Sequence, residues 1–97
     1  MWDRVFEALN DDDLLDELAA IEHDRWAHWQ RYVHGKCERM PDGSLLIPAE
    51  LADRWDAQID TPYAELSALE KESDREQVRR YLPVIAAALD ELRAVER

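Results

Sequence analysis

Residues 12–34 read DDLLDELAAIEHDRWAHWQRYVH, and their spacing decides the fold class. Leu14, Leu18, Ile21, Trp29 and Tyr32 recur with a 3.6-residue period, with Arg25 in the same row. A neighbouring row holds Leu15, Ala19, Trp26, Trp29 and Val33, interrupted by Glu22. Strands alternate every second residue, so this pattern predicts one long amphipathic helix. Asn10 to Asp13 form a polar break ahead of it, supplying an N-cap and negative charge where the helix dipole is positive. Gly35 is the expected C-terminal stop.

Working outward, Trp2, Val5, Phe6 and Leu9 stand at helical spacing and predict a short helix over residues 2–9. Residues 36–47 read as a loop or small hairpin. In Met40-Pro41-Asp42-Gly43-Ser44, Pro fixes one φ and Gly supplies a positive one. Leu45, Leu46 and Ile47 then form a short extended apolar piece. Pro48 opens a helix to about residue 59, with Leu51, Trp55 and Ile59 on one face. Asp60-Thr61-Pro62 breaks it. Ser67-Ala68-Leu69-Glu70 has the form of a capping box and starts a last helical stretch, residues 67–94. Pro83 lies inside that stretch. It removes the bond to the Arg79 carbonyl, so a kink or break is expected near Arg80. The expected fold is all-α: a small single-domain helical bundle over residues 1–97, with at most one short β-hairpin around residues 37–47.

Composition fits that reading. Ninety-seven residues, 46% hydrophobic with two glycines, suit one compact domain with a modest core. The net charge of −11 argues against nucleic acid and against an anionic membrane as partners. A small anionic ligand held by a few local cations stays open. The lone Cys37 has no internal disulfide partner and no metal-type spacing. His23, His28 and His34 do not share one helical face, so no metal site and no cofactor are expected. Neither a bilayer-spanning run nor a signal-type segment is read, and a reducing cytoplasm is the expected location.

Charge also interrupts the apolar rows. Glu22 and Arg25 fall within those of the first long helix. The stripe Val78, Leu82, Ile85, Leu89 and Leu92, traced backwards, reaches Lys71, Asp74 and Arg75. A partly buried ion must be paired and hydrogen-bonded. The simplest expectation is a cluster of Glu22, Arg25, Asp74 and Arg75, pairing Arg25 with Asp74 and Glu22 with Arg75. Such a cluster fixes helix register. Alternatively, Arg25 or Arg75 lines a pocket and forks onto a phosphate or carboxylate.

Two motifs resemble those of the ryanodine-receptor repeat (RyR) domain. One is Ile21-Glu22-His23-Asp24-Arg25-Trp26. The other is Thr61-Pro62-Tyr63 through Leu66, followed by Glu70-Lys71-Glu72-Ser73-Asp74-Arg75, Val78 and Leu82. Together they span residues 14–92, in the manner of a stand-alone bacterial or phage member. The run Tyr32-Val33-His34-Gly35-Lys36 departs from the family pattern, and so does the segment from Pro48 to Asp60. The resemblance implies a helical module. In channels such repeats look like structural and interaction modules. In bacteria the context of similar domains implies a sensor or binder of a nucleotide-derived signal.

Two functional readings follow. The first is a small-ligand-binding domain that senses or sequesters a nucleotide-like molecule. Its pocket is expected at His23, Trp26, Gln30 and Tyr63, with Lys71 or Arg75 at the rim: rings to stack on, an amide and imidazole to hydrogen-bond, and a cation for phosphate. The second is a non-enzymatic protein-interaction module, acting as a homodimer or by docking, which would show an exposed apolar patch instead. The aromatic residues Trp26, Trp29, Tyr32, Trp55 and Tyr63 serve either a core or a stacking wall. No nucleophile–base pair, metal set or phosphate-cradling loop is read, so an enzyme is not expected.

Overall fold

The computed structural model describes residues 2–96. The described chain is all-α with one short two-stranded hairpin. In order, α1 is Trp2–Leu9, α2 Asp12–Lys36, β1 Glu38–Arg39, β2 Leu45–Leu46, α3 Ala49–Asp60, α4 Ala68–Arg79 and α5 Leu82–Glu96, with a 3-10 turn at Tyr63–Glu65. The Trp2 side chain, placed by the sequence on the first apolar stripe, lies outside the described residues.

Local chemistry sets most boundaries. The Asp11 carboxylate accepts a hydrogen bond from the Leu14 amide at 3.2 Å, capping α2. Acidic Asp12 and Asp13 fill its first turn. The hairpin turn closes through Gly43 N–H to the Met40 carbonyl, 2.9 Å, and Met40 N–H to the Ser44 carbonyl, 2.8 Å. Gly43 adopts φ 91°, the left-handed backbone that glycine takes without a steric penalty. The Asp42 carboxylate accepts from the Ser44 amide and hydroxyl, and these bonds lower its pKa. β1 and β2 pair antiparallel, Glu38 opposite Leu46 and Arg39 opposite Leu45. The capping box forms: Ser67 Oγ accepts from the Glu70 amide at 3.2 Å, and Glu70 Oε1 accepts from the Ser67 amide at 3.4 Å and from its hydroxyl at 2.7 Å.

Two expectations are corrected. Gly35 does not stop α2. The helix runs through it to Lys36, and Gly35 shows no positive φ. Closure comes one residue later, where Cys37 N–H bonds back to the His34 carbonyl and the chain turns into β1. The stripe from Val78 to Leu92 is likewise not one continuous core row. The expected break near Arg80 occurs, with Arg80 and Tyr81 amides bonding back three residues to Gln77 and Val78. The stripe is split between α4 and α5: Val78, Leu82 and Leu89 stand exposed while Ile85 and Leu92 are half-buried.

The described chain forms two compact units. The first comprises the described residues up to Arg25 and those from Asp74 onward. There α1 packs on α5, and Leu14, 7% exposed, is the one buried apolar side chain among the described residues. The second unit is Trp26–Ser73, holding the rest of α2, the hairpin, α3 and the start of α4.

Candidate functional site

In the first unit, Glu22 and Arg25 meet on one face of α2. Arg25 Nε donates to both Glu22 oxygens at 3.1 and 3.2 Å, and its Nη2 also donates to Oε1. The Tyr81 hydroxyl donates to the second Glu22 oxygen. Tyr81 lies in the break that Pro83 imposes, so a backbone fault positions this contact. The Arg25 guanidinium, then the Tyr81 hydroxyl, hold the Glu22 carboxyl down at about 2. The same carboxylate raises the Arg25 and Tyr81 pKa values. Glu22 is thus a saturated acceptor and the Arg25 fork is engaged on it. That leaves this cluster better suited to fixing the α2 surface than to catching a phosphate. Tyr81 stood outside the expected quartet. Asp74 and Arg75 lie in the same unit, on α4.

In the second unit, aromatic rings of α2 and α3 meet. Trp29 stacks on Tyr32 with centroids 5.4 Å apart and meets Trp55 edge-on at 6.0 Å. Both geometries suit the ring quadrupole. Lys36 Nζ lies 5.5 Å from the Tyr32 centroid. Trp29 therefore touches a ring on each side, while Trp29 and Tyr32 keep 45% and 42% of their surface in solvent.

The expected ligand set is distributed over both units. His23 and Arg75 belong to the first; Trp26, Gln30, Tyr63 and Lys71 belong to the second. Within the second, Lys71 Nζ lies 5.8 Å from the Tyr63 centroid, a cation–π distance. Tyr63 and Trp26 are about half exposed, and Gln30 is half-buried. Among the described residues no three His, Cys, Asp or Glu groups are arranged to hold a metal ion, and no helix is long and apolar enough to cross a membrane.

The first unit holds a groove that the sequence reading missed. It has a volume of about 740 Å³ and lies along α1, the start of α2 and α5. Its apolar walls are Ala8, Leu14, Val84, Ala88, Leu92 and Val95. Glu7, Asp11, Asp13, Glu17 and Glu91 stand around it with one cation, Arg4. The signal was present. Val84, Ala87, Ala88, Glu91, Leu92 and Val95 follow i, i+3, i+4, i+7, i+8, i+11, a full second face of α5. Small side chains on that face leave volume that the larger stripe does not.

No family model matches this chain, and neither a curated protein nor a solved structure shows significant similarity to it.

Proposed function

We propose that this chain is a non-enzymatic protein-interaction module that docks on another protein through apolar side chains it does not cover itself. One observation carries the reading. Large apolar residues stand in solvent in both units, Ile59 at 78%, Leu69 at 85% and Val95 at 83% exposure, while Leu14 alone is buried among the described residues. Single exposed apolar residues are ordinary, but so many beside so small a buried core mark an interaction surface. The net charge of −11 favours a protein over nucleic acid or an anionic membrane.

The test is binding of the uncharged apolar dye Nile red to the folded protein, followed in Ile59→Ser and Leu69→Ser. Binding that drops in these variants supports the module. A native protein that leaves the dye unbound removes the reading.

The small-ligand reading retains one specific support, the Lys71 ammonium over the Tyr63 ring. A ring and a cation at that distance can hold a base and a phosphate. A dose-dependent thermal shift with nucleotides, lost in both Tyr63→Ala and Lys71→Ala, would put that reading in place of the module.

A further inference from the structure

We infer that the groove of the first unit is the docking site for a basic amphipathic helix of a partner protein. This rests on the interaction-module reading and specifies its site and partner chemistry.

Shape comes first. The groove follows α5 from Val84 to Val95, a length of about 17 Å at roughly 1.5 Å per residue. That is about three helical turns. A partner helix would present anchors at i, i+3, i+4 and i+7 over that length, the helix-in-groove mode. Ala8, Ala87 and Ala88 are small enough to admit large anchors, and Leu14, Leu92 and Val95 give those anchors apolar walls. At about 740 Å³ the space accommodates several aliphatic or aromatic side chains.

Charge then selects the occupant. Five carboxylates face one guanidinium around the groove. Their distribution matters. Glu7 comes from α1, Asp13 and Glu17 from α2, and Glu91 from α5, so acid flanks the apolar walls from all three helices. Asp11 also belongs to the set, although its carboxylate caps Leu14. An apolar stripe flanked by Lys or Arg is the complement of this surface. An anionic ligand is repelled. A second copy of this chain, itself at −11, would bring acid against acid.

The experiment uses the full chain and a labelled peptide of about fifteen residues, Leu at i, i+3, i+4 and i+7 with Lys flanks, read by fluorescence anisotropy. A matched peptide carries Glu in place of Lys, and a third is scrambled. Expected is saturable binding of the basic peptide alone, weakening as salt rises because the rim charges are exposed. In Glu7→Lys/Glu91→Lys, affinity for the basic peptide should fall roughly tenfold and the acidic peptide should gain. Ala88→Trp, which fills the groove, should abolish binding with helicity unchanged by circular dichroism. Should Ala88→Trp fail to fold, the exchange of peptide preference in the double lysine variant still decides the matter.

Absence of binding, equal binding of all three peptides, or binding indifferent to the double lysine variant would overturn the assignment. Nile red binding separates the two levels. If the peptide result fails while the folded protein still binds the dye, the groove assignment alone falls. If both fail, the module reading falls with it.

Discussion

The two units solve the same problem in opposite ways. In Trp26–Ser73 rings meet ring to ring, Trp29 against Tyr32 on α2 and against Trp55 on α3. In the first unit α5 turns a face of Ala and Val towards α1 and the start of α2, and volume is left over. The rings of the second unit take one another as partners within the chain, while Trp29 and Tyr32 keep part of their surface in solvent. Small side chains leave the first unit's apolar face uncovered and ringed with acid. The lesson is that side-chain size on an apolar face, as much as its hydrophobicity, decides whether neighbouring side chains meet or leave a groove between them.

The largest expected effect tests the filled side of that contrast. Trp29→Ala removes the ring between two others and should cost about 2–3 kcal/mol in urea unfolding, below the range for a fully buried Trp because Trp29 keeps solvent contact. A loss under about 0.5 kcal/mol would mean that the rings do not hold α2 to α3.

Next in size is Ser67→Ala in the second unit. It removes the side-chain half of the capping box at the start of α4 and should cost about 1 kcal/mol. Hydrogen exchange should localise the loss to the first turn of α4. A uniform loss across the chain would show that the cap acts globally.

A smaller, pH-dependent effect belongs to the first unit. Folding lowers the Glu22 pKa from 4.5 to about 2. Its contribution to stability is therefore present in full above 4.5 and is lost as pH falls towards 2. The difference between the wild type and Glu22→Gln should shrink across that window in urea titrations. A difference that grows on acidification would reverse the assigned sign. The pair is exposed, so the effect is modest throughout.

The smallest expected effect is the sharpest on the open side. Ala88→Leu adds bulk to a face that has room for it, so stability should change by no more than about 0.5 kcal/mol. A loss of about 1–3 kcal/mol, typical of overpacking, would show that the groove is closed in solution.

The sequence by itself determined the helices and most of their ends, because those signals are local. The 3.6-residue rows, Pro48 before α3, the Ser67–Glu70 box, Gly43 in the hairpin turn and the break caused by Pro83 each act within a few residues of their cause. Gly35 misled, since a glycine near a helix end permits a stop without requiring one. Tertiary structure alone decided the rest. Helical spacing says which residues share a face but not what that face meets. Hence Tyr81 reached Glu22 from fifty-nine residues away, and Trp29 chose Trp55. The Ala-rich face of α5 became a groove because volume left between helices depends on the sizes of both partners, a quantity no single stretch of sequence contains.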